Sequence, residues 1–234
     1  MANLRRRDVL PTGEAEMLEA LHLRKADFAK GEEIVADGSR PHSSCLLEEG
    51  LAARSVVRAN GSRQLTALHI GGDFVDLHGL TLREMDHGVV ALTACKAVFV
   101  RHEEIRTITE RAPHLTRLLW LLTTVDAAIQ RRMTTLMGRH TPLERLGHLL
   151  CEMYVRKEAV GLAQEQQFKL PVSQAVLADL LGLSVVHTNR IVKDLRATGL
   201  VSWHQHNVRI HDFPKLARVS GFDAAYLSFR CEPR

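Results

Sequence analysis

Between residues 170 and 200, apolar side chains recur at the spacing of two consecutive α-helices. Gly182 interrupts the pattern, and glycine adopts the backbone angles of a tight turn at little energetic cost. The segment is therefore predicted to form two helices joined by a tight turn. We expect the inward-facing residues to be Leu177, Leu180 and Leu181 in the first helix and Thr188, Ile191, Val192 and Leu195 in the second.

Polar residues mark the ends and the outer face of these two helices. Serine is placed to cap both, because its hydroxyl accepts a hydrogen bond from the free backbone N–H groups of a first helical turn. An Asn and an Arg on the outer face suit adenine and guanine edges in a major groove, although an ordinary helical hairpin with a solvated face shares these cues. We predict DNA binding through Ser173, Ser184, Val185, Val186, His187, Asn189, Arg190 and Lys193.

The segment after the second helix is predicted to form a two-stranded wing. Residues 200–210 alternate between apolar and polar side chains around a His-Gln-His-Asn turn. A wing beside a recognition helix contacts the phosphate backbone, and Arg209 is placed to do so. His204 and His206 resemble a metal-binding pair, but two ligands without a third make a poor site, so we predict a solvated turn and no metal.

The region from Phe28 to Val100 has the pattern of short strands separated by regularly spaced glycines. Such spacing predicts an antiparallel sandwich or roll. Asn60-Gly61 is a hairpin signal by itself, because both residues tolerate positive φ.

A long amphipathic helix is predicted to begin near Pro113. Its apolar stripe is wider than one surface helix needs, which fits a coiled-coil pairing of two chains as well as burial against its own domain. We expect both, with one edge of the helix covering the roll and the other meeting a second subunit. The predicted dimer interface consists of Leu118, Leu122, Val125 and Ile129.

These patterns together predict an α+β protein in three parts. Residues 1–111 form an N-terminal helix and an antiparallel, jelly-roll-like β-roll, residues 112–138 form the dimerisation helix, and residues 139–234 form a winged helix-turn-helix domain. A length of 234 residues and a hydrophobic content of 45% are enough for two modest domains with real cores.

Charge and cysteine usage narrow the expected location and partners. The net charge of +4 is mildly favourable for a polyanionic partner such as double-stranded DNA. The N-terminus has no apolar signal region and no segment approaches the length of a membrane span, so we expect a cytoplasmic protein without a membrane partner. The four cysteines lack CxxC spacing, which argues against a zinc finger and favours reduced, buried thiols.

The order of these parts resembles the Crp/Fnr family of bacterial transcription regulators. The resemblance covers nearly the whole chain. Its N-terminal segments are Phe28–Ile34 with Gly38, Glu49–Arg54, Gly61 and Gly71–Phe74, and its C-terminal segments are Leu177–Ser184, Asn189–Leu195 and Gly199–Val201. It implies a homodimer that binds double-stranded DNA, contacts RNA polymerase and senses a small molecule in the roll. It also places Arg190 on the family's guanine-reading arginine, with Val185 and Val186 at the other two base-reading positions.

The chain departs from the best-known branches of that family at the effector site. Cyclic-nucleotide binders carry a Glu for the ribose and an Arg for the phosphate, whereas this chain has Phe74–His78 at the first element and Asp86–Val89 near the second. Glu84 and Asp86 would repel a phosphate, so we expect no cyclic AMP. No cysteine precedes Cys45, so we expect no iron–sulfur cluster of the oxygen-sensing kind. The effector remains unassigned, and its predicted pocket is Phe74, Val75, Asp76, His78 and His87.

Three alternatives accompany this prediction. Thirteen histidines leave open a haem- or metal-dependent sensor of the same fold, although histidines scattered over strands are more often surface or hydrogen-bonded core residues. A β-roll also suits a cupin-like metal enzyme, but the roll has no HxH, and the chain has no nucleophile elbow, P-loop or HExxH motif, so we expect no enzyme. A dimeric scaffold that does not bind DNA would share every fold-level feature.

Overall fold

The computed structural model describes residues 2–232, which form two compact units. The first unit contains the chain up to Val56, then Ala67–Ala127, and the residues from Phe229 onward. The second contains Val57–Thr66 and Ala128–Ser228. The helices are α1 (Ala2–Arg5), α2 (Thr12–Glu19), α3 (His102–Arg111), α4 (Pro113–Arg139), α5 (Pro142–Ala159), α6 (Gln174–Leu181), α7 (Val185–Ala197) and α8 (Phe213–Val219), with short 3-10 turns at Leu77–Leu80 and Ala224–Leu227.

Seven strands build two sheets of the β-roll. They are β1 (Leu23–Phe28), β2 (Glu33–Val35), β3 (Ser43–Glu49), β4 (Leu51–Val57), β5 (Arg63–Ile70), β6 (Gly88–Ala91) and β7 (Cys95–Arg101). One sheet has the order β1-β7-β3 and the other β2-β6-β4-β5. Both contribute side chains to one apolar core, which includes Leu47, Val89 and Phe99. The predicted roll is therefore present, although its first strand begins at Leu23 rather than near Phe28.

Glycines close the tight turns of the roll where the sequence pattern placed them. Gly50 has φ +100° between β3 and β4, and a Cβ there would lie 2.5 Å from the carbonyl oxygen of Ala94. Gly61 has φ +79° in the hairpin between β4 and β5, and its N–H donates to the carbonyl of Arg58. The Asn60-Gly61 hairpin prediction is confirmed.

A second apolar cluster in the first unit joins the N-terminal helices to α3 and the first half of α4. Its fully buried members include Leu115 and Leu118 of α4, which pack with Ile105 and Ile108 of α3 and with Leu4 of α1. The inner stripe of α4 is thus covered by the chain's own residues over its first turns.

The second unit is assembled around α5. A capping box starts this helix: the Thr141 hydroxyl accepts from the Glu144 N–H, and the Glu144 carboxylate accepts from the Thr141 N–H. Gly147 lies where α5 meets α8, and a Cβ at this position would be 2.9 Å from the Cβ of Ser220. The two helices can approach this closely only because residue 147 has no side chain.

The wing of the second unit is larger than the sequence predicted. Strands β8 (Ala163–Gln164), β9 (Gln167–Lys169), β10 (Val201–His204) and β11 (Asn207–Ile210) form one sheet in the order β10-β11-β9-β8. The predicted β10–β11 hairpin is present, but the β8–β9 hairpin was missed. Its turn residues Glu165 and Gln166 have φ of +51° and +59° without the Gly or Asn that marks such turns in a sequence.

Two expectations about the chain's exterior are refined by the structure. Cys45, Cys95 and Cys151 are buried free thiols as predicted, whereas Cys231 is exposed, so the prediction of four buried thiols is wrong for that residue.

In residues 2–232, no single helix is long and apolar enough to cross a membrane, and the bent pair α6–α7 meets that criterion only when its two helices are taken together.

We predict that Gly147→Ala lowers the free energy of unfolding by about 1–3 kcal/mol, because the new methyl group forces α5 and α8 apart. Chemical denaturation of the purified protein measures this loss. Gly13→Ala is the matched control, since Gly13 is also helical and a Cβ there meets nothing within 4 Å. Equal stability of Gly147→Ala and the wild type would show that the contact is not restrictive.

Candidate nucleic-acid interface and effector site

Helices α6 and α7 meet in the tight turn that the sequence predicted. Gly182 has the left-handed angles φ 65° and ψ 39°, and its N–H donates to the carbonyl of Ala178. The Ser173 hydroxyl caps α6 by accepting from the Val176 N–H, and the Ser184 hydroxyl caps α7 by accepting from the His187 N–H. Both serines therefore fix the starts of the helices.

Helix α7 has a buried face and an outer face, as predicted. Thr188 and Leu195 are almost fully buried, together with Ile191 and Val192. The outer face carries the predicted base-reading side chains: Val186 is 80% exposed and Val185 is 44% exposed. Asn189, Arg190 and Lys193 are also exposed, and His187 is half-buried. This face presents a donor-rich and partly apolar surface to an external partner.

Basic side chains extend this surface towards the wing. Arg209 is exposed on β11, opposite Ser202 of β10 and Gln167 of β9. Between the end of α7 and the wing lies a shallow depression of about 420 Å³, lined by Lys193, Arg196, Ala197, Gly199, Val201, Ser202, His204 and His211. The cationic members of that lining are suited to a phosphate backbone.

Three of the five residues predicted for the effector pocket serve the roll itself. The segment Phe74–Asp76 runs beside β3, where Phe74 bridges to Leu46 and the Val75 N–H donates to the carbonyl of Cys45. Val75 is fully buried in the core. The Asp76 carboxylate accepts from the Cys45 N–H at 2.6 Å, and burial raises the pKa of Asp76 to about 7. These backbone contacts, the buried Val75 side chain and the Asp76 carboxylate hold the segment in place.

The other two predicted residues, His78 and His87, are brought together with Asp86. Their ring centroids are 5.1 Å apart, and His87 Nδ1 lies 2.6 Å from Asp86 Oδ1. Burial lowers the pKa of His78 to about 4 and also lowers the pKa of His87, with the positive charge of Arg54 acting in the same direction. Partial burial opposes ionisation of Asp86, but the hydrogen bond from His87 lowers its pKa overall. At neutral pH the group therefore presents uncharged imidazoles and a carboxylate.

Arg54 is the residue of this region that sequence reasoning missed. Its guanidinium donates from Nη2 to Asp126 Oδ2 of α4 at 2.8 Å, and the arginine side chain is only 9% exposed. We expected no arginine for a phosphate because the second element, Asp86–Val89, contains none. Arg54 comes instead from β4, which pairs with β6 directly after His87. Only sheet register, which the sequence pattern does not supply, brings it to the two histidines.

The leucine stripe predicted for the dimer interface faces the chain's own interior. Leu118 is fully buried and Val125 is 6% exposed, so these two offer almost no surface to a second subunit. Leu122 packs against the same apolar cluster, and Ile129 is half-buried. Periodicity identified the apolar face of α4 correctly but not what covers it. Leu118 and Val125 are thus covered within the protomer, and the dimer interface itself stays a prediction.

Comparison with known protein families gives a match in each unit. Residues 25–112 match the cyclic nucleotide-binding domain, and residues 144–219 match the Crp-like helix-turn-helix domain. The second match contains the α6–α7 pair and all four strands of the wing.

Curated relatives align with most of the chain. The chain is 24% identical to the transcriptional activator protein anr of Pseudomonas aeruginosa over 91% of its own length and 86% of that protein. It is 25% identical to the transcriptional activator protein FnrL of Cereibacter sphaeroides over 94% of its length and 91% of that protein. The solved structure of FixK2 from Bradyrhizobium japonicum has the same fold, with a TM-score of 0.76, 22% identity, and coverage of 85% of this chain and 98% of that one.

We predict that millimolar cyclic AMP leaves the melting temperature unchanged. Asp86 repels a phosphate, and Arg54 is already engaged by Asp126. A ligand at about 100 times its dissociation constant would stabilise the protein by roughly 2.7 kcal/mol, which thermal denaturation detects readily. A saturable upward shift at micromolar cyclic AMP would overturn this prediction.

Proposed function

The chain belongs to the Crp/Fnr family of transcription regulators, and we propose that it binds an inverted-repeat operator as a homodimer under the control of an effector held by the β-roll. The observation that carries the proposal is the outer face of α7, where Asn189, Arg190 and Lys193 are exposed beside an N-terminus capped by Ser184. The family relatives are named as regulators of transcription, and this chain acts as a regulator rather than an enzyme.

We assign three kinds of contact to the DNA-binding surface. Arg190 reads a guanine through O6 and N7, as an arginine fork does in a major groove. Val185 and Val186 offer only apolar contact, which suits a thymine methyl group, so the operator differs from one read by polar residues at these positions. Lys193 and Arg209 contact phosphates, and Asn189 contacts either an adenine or a phosphate.

The second partner in this proposal is another copy of the chain. Exposed residues follow α4 at alternating steps of three and four, which is the spacing of a coiled-coil seam. This seam consists of Arg117, Trp120, Thr124, Ala127, Arg131, Thr134 and Gly138. Trp120 is 71% exposed, which is unusual for so large an apolar side chain, and the small residues along the seam permit close approach of two helices.

The remaining partners follow from the family assignment. RNA polymerase is the proposed second protein partner, because the relatives are named as transcriptional activators. A regulator of this kind works where the DNA is, and we therefore place the protein in the cytoplasm.

We predict that Arg190→Ala weakens binding to the best inverted repeat by about 1–3 kcal/mol and relaxes the preference for one guanine in each half-site. The half-sites are expected about one helical turn (~34 Å) apart. Selection of duplexes from a random pool, followed by titrations of operator and random DNA, measures both effects. Lys193→Ala is the matched comparison, since loss of a phosphate contact weakens all sequences alike and lowers the salt slope by about one unit. If Arg190→Ala weakens operator and random DNA equally, the arginine clamps the backbone and does not read a base.

We predict that Trp120→Arg combined with Ala127→Arg converts the dimer into a folded monomer. The two new charges would lie in the seam beside Arg117 and Arg131, where like charges repel. Analytical ultracentrifugation at micromolar concentration measures the change. Val9→Arg with Leu82→Arg is the control, because it adds the same charge at exposed apolar residues outside α4. A dimeric seam variant would place the interface elsewhere, and a monomeric wild type would refute the dimer itself.

A further inference from the structure

Three buried side-chain nitrogens near α4 have no hydrogen-bond partner within residues 2–232: His78 Nε2, His87 Nε2 and Arg54 Nε. Buried polar atoms of this kind cost free energy unless something pairs with them. His87 is only 5% exposed, and its other ring nitrogen is already bonded to Asp86. The two imidazoles are therefore held with their Nε2 atoms available for a ligand.

The arrangement of these groups is that of a metal site. His78, Asp86 and His87 each offer one ligand atom, and the three atoms lie within 4.8 Å of one another. Asp86 bonds to His87 Nδ1 in this structure, and it has to turn away from that nitrogen to share a metal ion with His87 Nε2. Metal–ligand bonds of about 2.0–2.2 Å require the three atoms to draw closer, and the Asp86 side chain, which is 78% exposed, has the freedom to do so.

The charges of the cluster favour a cation over an anion. Asp86 and Asp126 supply two carboxylates and Arg54 supplies one guanidinium, so these three groups around the histidines carry a net negative charge. An anionic ligand would face the carboxylate of Asp86, and Arg54 is already paired with Asp126. A divalent cation would instead neutralise that carboxylate, and uncharged imidazole is the form that ligates metals.

We propose that His78, Asp86 and His87 bind one divalent transition-metal ion, and that this ion is the effector of the regulator; the second statement rests on the function proposed above. Two imidazoles and one carboxylate suit Zn²⁺, Co²⁺, Ni²⁺ or Fe²⁺ rather than the all-oxygen sites of Mg²⁺ or Ca²⁺. The site lies next to the Arg54–Asp126 ion pair, which joins β4 to α4. Binding places a dipositive charge beside Arg54, and the ion pair carries that change in charge to α4.

The site is tested by titrating the purified full-length protein with Co²⁺, which reports on its ligands through visible absorption, and with Zn²⁺ by calorimetry. We expect one ion per chain. His78→Ala and His87→Ala should abolish the Co²⁺ spectrum, and Asp86→Asn should weaken affinity by at least about tenfold. Because Asp86 is exposed, its substitution tests the site even if a histidine variant fails to fold. His102→Gln is the control, since His102 is a buried histidine of the same unit that bonds to the Ser44 hydroxyl instead.

Several outcomes would overturn the metal site. Absence of stoichiometric binding would do so, as would binding that survives both Asp86→Asn and His87→Ala. A Soret band in the purified protein that disappears in His78→Ala would replace the metal ion with haem. None of these results depends on whether the protein binds DNA.

The effector role is tested separately, by measuring operator affinity with Zn²⁺ and after its removal by a chelator. We expect at least a tenfold difference in operator affinity for the wild type and His102→Gln, and none for Asp86→Asn at a Zn²⁺ concentration that occupies the wild type but not this variant. Equal affinity in the two conditions would overturn the effector role. A protein that binds metal but no duplex DNA would instead contradict the proposed function while supporting the metal site.

Discussion

Helix α4 packs against its own protomer on one face, and in the proposed function it pairs with a second chain on another face. The proposed function depends on which residues lie on each face. The inner stripe, with Leu115 and Leu118 at its centre, is fully buried by the chain's own residues. Burial of each of these leucines stabilises the folded protomer by about 1.5–3 kcal/mol. The inner stripe is therefore already buried within the protomer and is not available to a second chain. What remains is the outer row around Trp120 and Ala127, which is narrower and less apolar. A dimer built on that row is held by less apolar area than the protomer itself, and small changes in the position of α4 then affect the pairing strongly.

An ion pair also joins this helix to the roll. Arg54 of β4 pairs with Asp126 of α4, and the arginine is nearly buried. Removing one partner of a buried pair leaves an uncompensated charge, which is strongly unfavourable, so the pair resists being broken but responds to a new charge placed beside it. The histidine–aspartate cluster lies where such a charge would be felt, because Arg54 already lowers the pKa values of both His78 and His87.

Local sequence signals were enough to predict helices α6 and α7, whereas features that depend on long-range strand pairing were not predicted. Ser184 and Gly182 affect only the backbone within a few residues, so the turn and the caps could be predicted from residue type alone. The β8–β9 hairpin was missed because Glu165 and Gln166 adopt positive φ without a glycine. Periodicity showed an apolar stripe on α4 without its partner, and Leu118 and Val125 of that stripe are buried within the protomer. Asp86 entered the sequence argument only as a charge repelling phosphate, and its contact with His87 and the approach of Arg54 depend on how β4 and β6 pair.

The expected lack of cyclic-nucleotide binding rests on the charges around Arg54 and Asp86 in the roll. A cyclic nucleotide needs a free cation for its phosphate, but the arginine here is paired with Asp126 and the neighbouring carboxylate of Asp86 repels anions. The pairing of Arg54 with Asp126 and the presence of Asp86 act in the same direction. Together they remove the positive potential that an anion requires and leave imidazole nitrogens beside a carboxylate. Under the proposed metal site, a chain that matches the cyclic nucleotide-binding domain over residues 25–112 would keep the position of its sensor while exchanging an anionic ligand for a cationic one.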